Sequence, residues 1–91
     1  MEQKYTKQYV AVDVHYTEEG KIEPRIIYWP DGRNFFIEKI TDHRPAASLK
    51  VGGAGIRFRV LISGEEATYE RDLYFVDNRW FVEVKVSQMS A

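Results

Sequence analysis

Residues 55–62 have the sequence Gly-Ile-Arg-Phe-Arg-Val-Leu-Ile, and this stretch decides the fold class. Large apolar side chains occupy every second position from Ile56 to Ile62, and arginines occupy two of the positions between them. A period of two is typical of a β-strand that turns one face to a core and the other to solvent. We therefore predict a strand here, followed by a turn at residues 63–66.

The same alternation recurs on both sides of this strand. Turn residues separate the apolar runs: Gly20 in residues 17–21, Gly32 after Pro30-Asp31, and the pair Asp77-Asn78, all of which tolerate the backbone angles of tight hairpins. Five further strands are predicted, over Tyr9–Tyr16, Arg25–Trp29, Arg33–Thr41, Ala67–Val76 and from Trp80 to Val86.

Two positions depart from strict alternation. Ile40 falls out of phase with Ile37, and a bulge near Glu38-Lys39 would return it to the core face. Pro24 precedes the second strand and costs no ladder hydrogen bond if that position is an edge. The predicted core comprises Val12, Val14, Ile26, Ile37, Ile40, Phe58, Val60, Leu73, Phe75, Trp80 and Val82.

Short strands joined by tight turns predict an all-β fold. We expect a five- or six-stranded antiparallel meander coiled into a small barrel of the SH3-like or OB-like kind, because closure removes exposed edges. At most one short helical turn is expected, at residues 46–49. An open sheet that dimerises is the competing architecture. A single domain over residues 9–86 is predicted, with flexible termini at residues 1–8 and 87–91.

Composition excludes several classes of site. The chain has 91 residues, a formal charge of −1 and no cysteine, so a disulfide, a thiolate zinc site and a cysteine nucleophile are all ruled out. No secretory signal and no apolar run of roughly 20 residues is found. We expect a cytoplasmic protein that has no membrane partner.

The middle of the chain is basic. Between Arg25 and Arg59 there are seven basic and three acidic residues, a net of +4. Aromatic residues such as Trp29 lie among these cations, as stacking platforms for single-stranded nucleic acid require. Arg57 and Arg59 would leave one face of their strand about 7 Å apart, which suits successive phosphates. The favoured alternative is that these arginines pair with acidic residues of the last two strands, Glu70, Asp72 and Glu83, and leave a neutral surface for a protein partner.

A glycine-rich segment precedes the fourth strand. Gly52, Gly53 and Gly55 would let backbone amides approach a phosphate, with Lys50 and Arg57 supplying positive charge. The segment lacks the Gly-Lys-Ser/Thr ending of a P-loop and leads into a strand. A loop that needs glycine for its backbone angles is therefore the favoured interpretation.

Catalytic and metal signatures are weak. Asp13 with His15 and Asp42 with His43 permit a metal site to be drawn, but histidine spacings typical of zinc sites do not occur. No serine has an assignable base. We predict no catalytic residue, no metal and no cofactor.

A family resemblance rests on glycines, turns and apolar positions between about Val10 and Val86. Its segments are Gly20-x-Ile22-x-Pro24, Ile27-x-Trp29, Asp31-Gly32-Arg33, Ile37-x-x-Ile40, Gly55-Ile56-Arg57-Phe58-x-Val60 and Arg79-Trp80-Phe81-Val82. This order resembles small uncharacterised all-β domains of Gram-positive bacteria, some of them encoded beside lesion-bypass DNA polymerases. The resemblance implies a fold and no catalytic residues, and its distinctive polar positions are Arg25, Arg33, Arg44, Arg57 and Arg79.

These observations predict a non-catalytic binding or accessory module, monomeric or homodimeric, that takes part in protein–protein interaction. The alternative is a nucleic-acid-binding accessory domain linked to DNA repair or lesion bypass. In either case the candidate binding residues are Arg25, Trp29, Arg33, Arg44, Lys50, Gly52, Gly53, Gly55, Arg57 and Arg59.

Overall fold

The computed structural model describes residues 4–46, 55–64 and 66–85, which form six strands and no helix. The strands follow one another in chain order around a closed antiparallel barrel, in which the last strand pairs with the first. The predicted all-β class and antiparallel barrel are confirmed. The strands are β1 (Tyr5–Tyr16), β2 (Ile22–Tyr28), β3 (Asn34–Pro45), β4 (Gly55–Ser63), β5 (Thr68–Val76) and β6 (Arg79–Lys85).

Two hairpins of the barrel, β2–β3 and β5–β6, have ladders of only three residue pairs, and we call them the hairpin corners. The first half of β1 pairs with β6 from Tyr5 to Val10, and its second half pairs with β2. In the same way β3 pairs with β2 only as far as Phe36 and with β4 from Ile37 onward. Both of these 12-residue strands therefore divide their pairing between two neighbours.

Tight turns form where the sequence predicts them. Asp77 and Asn78 have φ angles of 52° and 62°, the left-handed conformation of a two-residue hairpin whose twist matches its strands. Gly32 has a φ of 96°, and its N–H donates to the carbonyl of Trp29 at 3.0 Å. Gly20 has a φ of 85° in the turn between β1 and β2. All three turns are confirmed.

The ends of the strands differ from the predicted boundaries. β1 begins at Tyr5, four residues earlier than predicted, because the polar and aromatic residues there pair with residues of β6 in the sheet. β3 continues to Pro45, through residues predicted as a loop. The predicted bulge in β3 is confirmed, since the register passes from Ile37 to Lys39, and a second shift follows Ile40. The predicted helical turn lies, apart from Ala46, outside the described residues, as do residues 87–91.

β2 carries an irregularity that the apolar pattern of the sequence does not predict. The strand begins at Ile22, and Pro24 lies inside it, fully buried and opposite Val14. Between the pairs Asp13–Ile26 and Val14–Pro24 the register shifts, so Arg25 is the extra residue of a bulge. A bulge tolerates the missing N–H of proline inside a strand.

The core lies inside the barrel. Its central residues are Ile27, Phe58, Val60, Ile62, Leu73 and Val82, each 7% exposed or less. Four of them belong to the predicted core, whereas the prediction of Ile26 is wrong, because Ile27 points inward and Ile26 lies on the outer face beside Phe36. Val14 is half-buried and stands apart from this cluster.

Truncating two neighbouring isoleucines tests this assignment of faces. We expect Ile27→Ala to lower the free energy of unfolding by about 2 to 5 kcal/mol, because it leaves a cavity in the packed core. Ile26→Ala should cost about 1 kcal/mol, the range of β-propensity on a sheet surface. Urea denaturation followed by tryptophan fluorescence measures both, and equal losses would contradict the facing described above.

Candidate functional site

The predicted binding arginines are held by carboxylates. Each of five arginines lies within ion-pair distance of an aspartate or glutamate, and three of these pairs join residues two apart in sequence. The pairs are Arg25–Glu23 at 3.2 Å, Arg33–Asp31 at 2.6 Å, Arg44–Asp42 at 2.8 Å, Arg57–Asp42 at 3.8 Å and Arg59–Asp72 at 3.0 Å. The positive charge of the middle of the chain is therefore largely balanced locally.

Arg57 and Arg59 lie on the outer face of β4, where a phosphate-tracking surface was predicted. Asp72 of β5 is directly opposite Arg59 and accepts a hydrogen bond from its Nε, which raises the pKa of this arginine. Asp42 of β3 lies on the other side and reaches Arg57. The cross-strand pairing of Arg59 with Asp72 is the arrangement that the protein-partner hypothesis expects.

The remaining predicted site residues are scattered. Trp29 is half-buried, faces the interior and contacts Phe35 edge-on, with ring centroids 6.2 Å apart. Gly55 begins β4, and its carbonyl accepts a hydrogen bond from the N–H of Ala46. Lys50, Gly52 and Gly53 lie outside the described residues.

Asp31 is the carboxylate most closely held by its partner. The backbone N–H of Arg33 donates to it at 3.0 Å and the Arg33 side chain at 2.6 Å, and these contacts lower the pKa of Asp31. The Arg33 guanidinium also lies 5.3 Å from the ring centroid of Phe35. Arg33 is thus fixed at the β2–β3 corner.

An aromatic row crosses the outer face of β1, β6 and β5. Phe81 is directly opposite Tyr9 on one side and Tyr74 on the other. Its ring stacks on Tyr74 at 4.9 Å, and Tyr9 meets it edge-on at 5.6 Å. Lys7 and Arg79 lie over the rings of Phe81 and Tyr9, respectively. The row buries Phe81 to 5% exposure although it points away from the core.

Tyr74 links this row to the end of the β5–β6 pairing. Its hydroxyl donates to the Glu83 carboxylate at 2.8 Å. Partial burial and this carboxylate together raise the pKa of Tyr74 to about 12. On the outer face of β1 and β2, Tyr28 donates to Asp13 at 2.6 Å, and this hydrogen bond raises the pKa of Tyr28.

The ladder between β5 and β6 stops early. β5 pairs with β4 along its whole length, from Thr68 to Val76. With β6 it forms three residue pairs, the last of which joins Tyr74 to Phe81. The opposite edge of β6 pairs with β1 from Trp80 to Lys85. We call the opening between residues 68–73 of β5 and residues 82–85 of β6 the β5–β6 cleft.

The β5–β6 cleft leads into the barrel interior. A cavity of about 630 Å³ lies on its inner side, beside the β2–β3 corner. A smaller cavity of about 360 Å³ lies on its outer side, and Arg71 and Val82 line both. The apolar wall of the inner cavity consists of Ile27, Trp29, Phe35, Ile62, Val82 and Val84.

Polar groups stand around the cleft. Gln8 and Arg33 join the lining of the inner cavity. The outer cavity is lined by three carboxylates and two guanidinium groups, those of Glu70, Asp72, Glu83, Arg59 and Arg71. Arg71 has no ion pair with another residue of the described ranges. An apolar floor with charged lips is an arrangement suited to binding.

Tyr69 stands at the mouth of the cleft, 52% exposed. Its ring lies against Gly64, whose N–H donates to the carbonyl of Ala67 at 2.8 Å in the β4–β5 turn. A Cβ atom on residue 64 would collide with the Tyr69 ring. Glycine at this turn therefore permits the position of the ring.

Within residues 4–46, 55–64 and 66–85 there is no cluster of three or more histidine, aspartate or glutamate side chains that could hold a metal ion. Asp13 is engaged by Tyr28, and Asp42 by Arg44 and Arg57. The same part of the chain contains no helix long and apolar enough to cross a membrane.

Comparison of the chain with protein-family models, with curated proteins and with solved structures finds no match. The resemblance to small domains of Gram-positive bacteria therefore stays a prediction.

Removing the Tyr74 hydroxyl tests its environment through the pH dependence of stability. The pKa of Tyr74 is near 10 in the unfolded chain and about 12 in the folded one, so the unfolded state loses this proton first. The resulting stabilisation is complete below pH 10 and is lost as the pH rises through about 12. Urea midpoints should show the wild type losing stability relative to Tyr74→Phe between these values. A constant difference would contradict the assignment.

Proposed function

We propose that this chain is a non-catalytic module that binds a protein partner in the β5–β6 cleft. The observation that carries the proposal is the early end of the β5–β6 ladder, which leaves two strand edges over a cavity with one apolar wall. Unpaired edges are templates for an added strand, and apolar pockets beside them give affinity. As the sequence analysis predicts, we place the protein in the cytoplasm of a bacterium.

The electrostatics support a protein partner over nucleic acid. Affinity for a phosphate backbone comes mainly from cations that neutralise phosphates. In this chain five of the seven arginines lie beside carboxylates, and Arg79 lies over Tyr9 at 3.5 Å. A nucleic acid would have to compete with these carboxylates for each guanidinium.

Selection from random linear peptides displayed on phage tests this function without a chosen ligand. We expect selected peptides to slow amide hydrogen exchange in residues 68–73 and 82–85. Tyr69→Ala should weaken their binding at least about fivefold, because an exposed tyrosine at a cleft mouth is a typical binding hot spot.

Tyr16→Ala is the matched control, since Tyr16 is 68% exposed at the opposite end of the barrel. This substitution should leave the affinity for the selected peptides unchanged. Peptides that are insensitive to Tyr69→Ala, or that protect amides elsewhere, would refute this use of the cleft.

A nucleic-acid-binding role is the second candidate, and the outer aromatic row favours it. Tyr9 is 37% exposed, and Lys7 and Arg79 supply cations beside the rings. Aromatic rings flanked by cations are a common platform for single-stranded nucleic acid.

Fluorescence anisotropy of labelled single-stranded DNA decides between the two candidates. At low salt we expect no change up to about 100 μM protein, a range in which even non-specific sites usually bind. A rise that falls steeply with added salt and disappears in Tyr9→Ala would establish the second candidate instead.

A further inference from the structure

We propose that the occupant of the β5–β6 cleft is an extended peptide segment that adds as an antiparallel strand to β5, with basic side chains outward and apolar side chains inward. The inference rests on the proposed function and names the chemistry of its partner. It follows from three features of the cleft: the backbone edge of β5, the charges on its outer lip and the apolar inner wall.

The hairpin geometry shows which backbone groups of β5 face the cleft. Val76 and Arg79 flank a two-residue turn, so they exchange backbone hydrogen bonds. Along an antiparallel strand, every second residue directs its N–H and C=O groups to the same side. Tyr74, Asp72 and Glu70 therefore direct their N–H and C=O groups toward β6. Asp72 and Glu70 have no paired residue there. An added strand supplies the missing hydrogen bonds.

The β2–β3 corner has a similarly short ladder but is less suited to strand addition. Its three residue pairs end at Ile26 and Phe36, and the part of β2 beyond them contains Pro24, which lacks an N–H. Residues 68–73 of β5 contain no proline. The edge of β5 is thus the better template.

The outer lip selects for positive charge. Glu70 and Glu83 lie on opposite sides of the cleft, line its outer cavity and have no ion pair with another described residue. Asp72, the third carboxylate of the lip, is shared with Arg59. Side chains of an added strand that point outward lie beside these carboxylates, so lysine or arginine is favoured there.

The inner wall selects for apolar side chains at the alternate positions. Ile62, Val82 and Val84 belong to it, and Tyr69 stands at its mouth. Arg71 faces the same side, where it disfavours basic residues at the inward positions. An occupant that alternates basic and apolar residues meets both sides of the cleft, because successive side chains of a strand point to opposite faces.

The probe is a fluorescein-labelled Lys-Val-Lys-Val-Lys-Val amide, measured by anisotropy with the full chain at low salt. Lysines opposite Glu70 and Asp72 direct their N–H groups to β5, whereas the valine N–H groups point away from it. N-methylation of the lysines should therefore weaken binding at least about tenfold. N-methylation of the valines, which leaves mass and charge equal, should leave pairing with β5 intact.

Charge variants test the outer lip. Glu70→Gln combined with Glu83→Gln should weaken binding about threefold to fivefold, as expected for exposed ion pairs, and glutamine retains an acceptor for Tyr74. Glu18→Gln combined with Glu19→Gln, in the β1–β2 turn, removes the same charge far from the cleft and should have no effect. A Glu-Val peptide of the same length should not bind.

The outcomes separate this inference from the function on which it rests. Absence of binding by the Lys-Val peptide up to about 1 mM, or equal binding by the two N-methylated peptides, overturns strand addition by a basic and apolar segment. If displayed peptides of another pattern then bind in the cleft, the proposed function stands without it. If selection also yields no peptide that depends on Tyr69, both fail.

Discussion

The change of partner halfway along β1 is the constraint on which the barrel depends. Its first half closes the barrel against β6, and its second half pairs with β2, so this strand of 12 residues has a different neighbour along each half. β3 divides its pairing between β2 and β4 in the same manner. The two hairpin corners, β2–β3 and β5–β6, are paired only near their turns. The β5–β6 cleft is the unpaired part of the second corner.

Much of the fold follows from the sequence because the apolar residues at every second position are those that face the core. Phe58, Val60 and Leu73 are buried as their spacing predicts, and the bulge at Glu38 follows from the phase of Ile40. The bulge at Arg25 has no such signal, since Ile26 and Ile27 are equally apolar and either phase is acceptable. The apolar residues of one strand show that its side chains alternate between two faces. The register with the neighbouring strand determines which of the two adjacent isoleucines is buried.

The candidate site was much less accessible to sequence reasoning. The sequence predicts that Arg59 pairs with Glu70, Asp72 or Glu83, but only the folded register, in which Asp72 is directly opposite Arg59, selects one of the three. Phe81 is buried by Tyr9 and Tyr74, although its position in the alternation predicts exposure. The cleft has no sequence signal at all, because β5 and β6 alternate in the same way whether or not their edges meet.

The charges beside the cleft also bear on how copies of this chain behave toward each other. An unpaired edge invites association with a second copy, and natural sheets oppose this with charged residues. Were two β5 edges to meet antiparallel about a twofold axis, Glu70 and Asp72 of one chain would lie beside the same carboxylates of the other, and like charges directly opposite are unfavourable. The same carboxylates attract a basic strand. The carboxylates of this edge thus disfavour self-association and favour a basic partner. Without them, any extended chain could pair with the edge, so they give it specificity.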